Sequence, residues 1–208
     1  MMERELLNKM LEFHGHKCWA SALGLRAGLV ALKKLGVERA KAKELYVILE
    51  TGYYHAAGCF GDGVQFATGC TLGKGNLIRK PRGKLAFTLI DPKQKKQIRL
   101  CFNPKIREKI ANTAFMRKRS AGIPPHEIPE DEVMEVVNLV LDSPVEDVLL
   151  IGEVEESHFE PPVEVMGLEV CEICGEPVAK AYVRIIGGGQ NIKKVCIDCS
   201  GYKEGFEK

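Results

Sequence analysis

Cys171-Glu-Ile-Cys174 and Cys196-Ile-Asp-Cys199 stand twenty-one residues apart near the end of the chain, and they constrain its fold more than any other feature. Each CxxC turn offers two thiolates to one ion, and two such turns complete a tetrahedral four-sulfur shell. A segment of about 40 residues buries too little apolar surface to hold itself together, so a bound metal is expected to supply the missing stability. Residues 181–186 read as a strand, Gly187 to Gly189 as a loose turn, and the residues after Cys199 as a short helix. A knuckle, a hairpin, a second knuckle and a helix make a treble-clef zinc finger. Four thiolates leave no open coordination position, so this zinc is expected to be structural.

The finger cannot account for the whole chain. The 208 residues are 45% hydrophobic, enough for one sizeable core besides a small appendage. Net charge is +2, which gives no global argument for nucleic acid or membrane. Charge is nevertheless uneven. Residues 103–120 hold Lys105, Arg107, Lys109, Arg117, Lys118 and Arg119 against Glu108 alone, whereas residues 141–160 hold acids and neither Lys nor Arg. The first ten residues are charged at once and lack a signal peptide's apolar stretch, and no run approaches the roughly 18 residues of a membrane span. A cytoplasmic protein is therefore expected, in which eight cysteines serve metal binding or thiol chemistry rather than disulfides.

Along the core, residues 2–12 suggest a short helix and 21–35 a longer one, with Leu25, Leu29, Leu32 and Leu35 at helical spacing and Gly36 as its stop. Residues 45–50 read as a strand and 62–69 as a short helix. Strands are expected over 84–90 and 97–102, joined by a turn at Asp91-Pro92. Asn103-Pro104 is a good helix start, and that helix should run to about Arg119. A helix opening at Pro129, with three acids at its positive end, precedes a strand over 147–154. The prolines and glutamates of 156–167 mark a linker. The reading is α+β, with an antiparallel sheet packed with helices over 1–155 and the finger over 168–208.

Phe13-His14-Gly-His16-Lys-Cys18 is the chemical centre of that core. His14, His16 and Cys18 are borderline-soft ligands at alternate positions, facing one way if the segment is extended and free to converge if it turns. They form either a metal site or a catalytic thiol–imidazole pair. Cys18 would lie just before a helix N-terminus, where the dipole and free N–H groups stabilise a thiolate. Cys59 joins them, supported by Asp62 three residues on and His55 four residues before. Cys101 sits in an apolar strand and reads as a small hydrophobe. Gly73-Lys74-Gly75 is not a Walker A loop, since too few residues separate the glycines and no Ser or Thr follows Lys74. Its backbone N–H groups and the Lys74 ammonium either hold an anion near the thiols or make a plain turn.

FHGHKC, the helix SALGLRAGLVALKKLG, and GCTLGKGNL followed by GKLAFTL together resemble the FmdE family, named for the FmdE component of molybdenum formylmethanofuran dehydrogenase. The resemblance covers roughly residues 10–155. It implies an α+β core, a homodimer, and a metal or active site at His14, His16, Cys18, Cys59, Asp62, Gln65 and Cys70. Members with a C-terminal treble-clef finger are similar further. Trp19-Ala20 replaces the family's Pro-Gly after the cysteine, and Trp19 is expected at the pocket mouth or at a partner contact. Gly61 and Gly63 replace better helix formers in the family's Cys-x-x-Asp-Ala-Ile-Gln run.

The leading expectation is a metal-binding protein acting on a small molecule, with a C1 carrier or pterin-like compound implied by the resemblance. His16, Cys18 and Cys59 are the candidate catalytic or ligating groups, and the core metal is unspecified. The alternative is a non-catalytic binding, regulatory or assembly subunit, whose basic helix and finger engage protein or nucleic acid.

Overall fold

The computed structural model describes residues 2–53 and 58–201. The chain divides into two compact units, Met1–Pro161 and Pro162–Lys208. His55 and the residues expected to form a helix beyond Gly201 lie outside the described residues.

The first unit opens with helix α1 (Met2–His14) and helix α2 (Trp19–Leu35), followed by strand β1 (Tyr46–Leu49) and helix α3 (Cys59–Thr68). Strands β2 (Leu77–Arg79), β3 (Ala86–Asp91) and β4 (Lys96–Phe102) come next. The short helices α4 (Arg107–Ala111) and α5 (Ala114–Ser120) lead to α6 (Glu130–Asp142), α7 (Val145–Val148), β5 (Leu149–Ile151) and β6 (Glu155–Glu156). The sheet order is β2-β1-β3-β4-β5, with β6 also beside β4. The β1–β2 pair is parallel and every other pair in this sheet is antiparallel, so the antiparallel expectation needs one correction. Parallel neighbours require a crossover connection, and α3 supplies it. The strand expected over 147–154 begins as the turn α7. It then pairs with β4 at two places, with Gly152 donating its N–H to Arg99 O between them.

Helix α2 is the central element, and eleven of its seventeen residues are buried. It ends as expected at Gly36, whose φ of 72° suits glycine above other residues. Helices α2 and α3 lie side by side in the same direction, with Gly24 against Phe60 and Gly28 against Ala67. A Cβ built on Gly63 would stand 1.9 Å from Ser21 O, and one on Gly24 would stand 2.0 Å from Phe60 O. The two backbones therefore touch, which only glycine permits. Each such glycine costs about 1 kcal/mol of helix propensity relative to alanine. The close packing of α3 on α2 offsets that cost. It also brings the N-termini of both helices to one end of the molecule.

Beneath them the sheet contributes Val47, Leu49, Phe87, Leu89, Ile98 and Leu100 to the main core, joined by Leu23, Phe60, Val64 and the α6 residues Val133, Val136 and Val140. The long helix expected over 104–119 is broken. Thr113 turns extended there, donates its hydroxyl to Ile110 O and accepts from Met116 N, which ends one helix and caps the next.

In the second unit, β7 (Leu168–Val170) pairs with β8 (Pro177–Ala179), β9 (Arg184–Ile186) pairs with β10 (Lys193–Val195), and α8 (Ile197–Ser200) follows. Its buried cluster is Cys171, Val195 and Cys196, backed by Val178, Ile186 and Cys199.

Candidate metal centres

The core site is assembled from three helix ends. His14 is the last residue of α1. Gly15, at φ 92°, turns the chain out of that helix, and the extended residue Cys18 caps α2. The segment is thus a turn and not the extended stretch that would have aligned its side chains by alternation. Helix α3 starts one turn earlier than the sequence predicts, so Cys59 is its first residue, and Asp62 sits three positions on along the same face. One ligand atom from each of His14, His16, Cys18 and Cys59 lies within 4.8 Å of the others.

Each group has a distinct setting. His14 Nδ1 and Asp62 Oδ2 are 2.8 Å apart. The carboxylate accepts from that nitrogen and so keeps the proton on Nδ1, leaving a lone pair on Nε2. That Nε2 is buried and has no hydrogen-bond partner among the described residues. A buried ring nitrogen without a partner is costly, and it marks a place built for something else. The Cys18 thiol is brought down to about 5. The Cys59 thiol donating to it is the main cause, helped by the N–H groups of Ser21 and Ala20, against burial acting the other way. Cys59 is pushed up by the same shared hydrogen bond and by burial. The pair therefore carries one negative charge near neutral pH, at the converging positive ends of α2 and α3. His16 is exposed, and its ring lies 4.4 Å from that of His14.

The other candidates do not reach this cluster. Cys70 follows the opposite end of α3, about 15 Å along a ten-residue helix. It is packed in the main core, and burial pushes its thiol up to about 11. Gln65 turns toward the same far end, where its Oε1 accepts from Leu72 N. Lys74 donates to the carbonyls of Ala40 and Lys41 at 3.5 and 3.3 Å. Gly73 and Gly75 belong to a turn that buried Asn76 locks to Thr71, Ala42 and Leu45. The plain-turn reading describes this loop, which stands away from the thiols. Trp19 fills space between the two hydrophobic clusters of the core, beside Phe102. Sequence reasoning also missed Glu50, a buried carboxylate gripped by Arg99 at 2.7 and 2.9 Å. An acid ending an apolar strand was the available signal, but its partner depends on strand order.

In the second unit, Cys171, Cys174, Cys196 and Cys199 form a cluster of the same tightness. The N–H of Cys174, then those of Cys196 and Ile173, point at Cys171 Sγ and bring its thiol down to about 6. None of the eight cysteines is in a disulfide. The fit to a zinc finger is that of its four sulfurs.

Fold and sites together define a two-unit α+β protein carrying two separate metal-binding clusters built on cysteine. The chain belongs to the FmdE family, described as "FmdE, Molybdenum formylmethanofuran dehydrogenase operon", which it matches over residues 13–150. That span contains the whole core cluster. A relative in Archaeoglobus fulgidus, a "Probable S-adenosyl-L-methionine-binding protein", is 41% identical over 102 residues. That match takes in 47% of this chain but 26% of the relative, so the chain spans about a quarter of that protein. The crystal structure of an FmdE-like protein of tungsten formylmethanofuran dehydrogenase, from Syntrophus aciditrophicus, superposes with a TM-score of 0.57 at 22% identity, covering 96% of this chain and 92% of that one. It shares the fold. Among the described residues no helix is long and apolar enough to cross a membrane.

Proposed function

We propose that the core cluster is a metal centre for chemistry on a small molecule, and that the second cluster is a structural zinc site in a treble-clef finger. The observation that carries the first part is His14. Its Nδ1 is fixed by Asp62, and its buried Nε2 is left unpartnered among two sulfurs and a second imidazole. A carboxylate behind a ligating histidine is the usual way to fix the ring and raise its basicity. Sulfur and imidazole together suit zinc or another borderline ion. Such an ion supplies Lewis acidity to a bound oxygen. His14, His16, Cys18 and Cys59 would hold it, and Asp62 would orient His14. The finger follows the expected order of knuckle, hairpin and second knuckle.

The binding-subunit alternative loses support from the basic segment 104–119. Thr113 breaks it, Lys105 and Lys118 pair with Asp147 and Glu132, and the guanidinium groups of Arg117 and Arg119 bond to the Asn112 and Ile123 carbonyls. Affinity for nucleic acid comes largely from cations free to contact phosphates, and these four are engaged within the chain. A homodimer and a cytoplasmic location are carried over as proposals from the resemblance and the thiol chemistry.

Metal content of the intact protein tests the reading. Two ions per chain are expected, falling to one in Cys18→Ser and Cys59→Ser. One ion in the unaltered protein would sink the core site. Ligand screening of the loaded protein then starts from pterin-like C1 carriers, implied by the family, and from S-adenosyl-L-methionine, named for the Archaeoglobus relative.

A further inference from the structure

We infer that the four core ligands are unequal: His14, Cys18 and Cys59 form a fixed three-ligand seat, and His16 is an exchangeable fourth ligand that yields its position to an incoming small molecule. This rests on the core cluster being a metal site. Three of the groups are held before any ion arrives. The His14 ring is buried, with 6% of its side chain exposed, and is bonded to Asp62. Cys18 is set by the first N–H groups of α2. Cys59 begins α3, whose backbone is pressed against α2 at Gly24 and Gly63.

His16 has none of this. It is exposed, and no described residue hydrogen-bonds to its ring. It follows Gly15, where a built Cβ would meet nothing within 4 Å. Its one ring neighbour among the described residues is His14. Outer groups that orient a ligand are what hold a metal–histidine bond in one geometry. A ligand without them exchanges at little cost in reorganisation. Two thiolates and one imidazole with a fourth position open is a known arrangement for catalytic zinc, whereas four fixed ligands make a closed, structural site. The same chain thus carries one site of each kind. The incoming group would be a single oxygen, nitrogen or sulfur donor of a small molecule, entering from the exposed side on which His16 lies.

Cadmium-113 NMR of the full-length protein tests this, because the number of thiolate ligands sets the chemical shift and separates the four-sulfur finger signal from the two-sulfur core signal. In the His16→Ala protein the core signal should persist at a shifted position, and adding imidazole should move it back toward the original. In His14→Ala, Cys18→Ser and Cys59→Ser the core signal should vanish while the finger signal stays, which also reports that each variant remains folded there. Loss of the core signal in His16→Ala to the same extent as in His14→Ala would overturn the inference. So would an unmoved signal in His16→Ala, which would mean that His16 is no ligand. Absence of a core signal in the unaltered protein is a different failure, because it removes the metal centre itself.

Discussion

Asp62 shows how one side chain beyond the ligand set decides what a site can do. Its carboxylate is half exposed, yet the nitrogen it holds belongs to a buried ring. Asp62→Asn keeps the shape and removes the charge, so the ring loses both its tautomer preference and some basicity. Core metal affinity should fall about 10–100-fold, the range for outer partners of ligating histidines. Competition with a chromophoric chelator measures it, and an unchanged affinity would detach Asp62 from the site. Glu50 is a second test at this scale. The Arg99 guanidinium bonded to it holds its carboxyl below the usual carboxylate range. A depressed carboxylate contributes stability that is fully present above its unfolded pKa and is lost as pH falls through the folded one. Glu50→Gln should therefore destabilise the core by about 2 kcal/mol at neutral pH, since it leaves one partner of a largely buried pair. In urea titrations, its deficit against the unaltered protein should shrink as pH drops below about 4. A deficit that is constant with pH would mean that the charge plays no part.

The helix pair α2–α3 governs the site at the next scale, through glycines that looked like defects in the sequence. Gly63→Ala gains helix propensity of about 1 kcal/mol, yet its Cβ would collide with Ser21 O. Overpacking of this kind costs about 1–3 kcal/mol or more, so the net change should be a loss of stability. The shift should also weaken core metal binding, because Cys18 and Cys59 stand at the starts of the two helices. Gly73→Ala is the control: nothing lies within 4 Å of its Cβ, and its φ is not positive. A thermal melt should place it within about 0.5 kcal/mol of the unaltered protein. Equal melts for the two variants would show that the helix contact is not tight. The same pair explains what could be read in advance. Helical spacing of Leu25, Leu29, Leu32 and Leu35, with Gly36 after them, gave α2 and its end, and the residue types gave His14, His16, Cys18 and Cys59. Spacing carries no information on where Gly63 meets Ser21, on the parallel pairing of β1 with β2, or on the break at Thr113. Each of those is decided by a contact between segments distant in sequence, or by one hydroxyl preferring to cap. Lys74 and Cys70 were misplaced for the same reason: sequence nearness to Cys59 hides a helix length of separation.

For the molecule as a whole, the two units differ in what holds them together. The first buries a continuous core across α2, α3, α6 and the sheet. The second buries Cys171, Val195 and Cys196, so that most of its interior is the ligand set itself. Apolar side chains that would close a small domain are instead outside: Leu168, Val170, Ile173, Ile185 and Ile192 are all exposed. Without an ion, four thiols at this spacing bring no attraction of their own, and the entropy of ordering the segment is not offset. Removing metal with a strong chelator should therefore unfold residues 162–201 while leaving the first unit folded. Hydrogen exchange read by peptide mass spectrometry resolves the two units. Amides of β9 and β10 should lose protection on chelation and regain it with zinc, and those of β3 and β4 should keep theirs throughout. If β3 and β4 lost protection together with the finger strands, the core ion would be holding the first unit's fold as well. Its ligands would then be fixed for stability, and the exchange at His16 would have no room to occur.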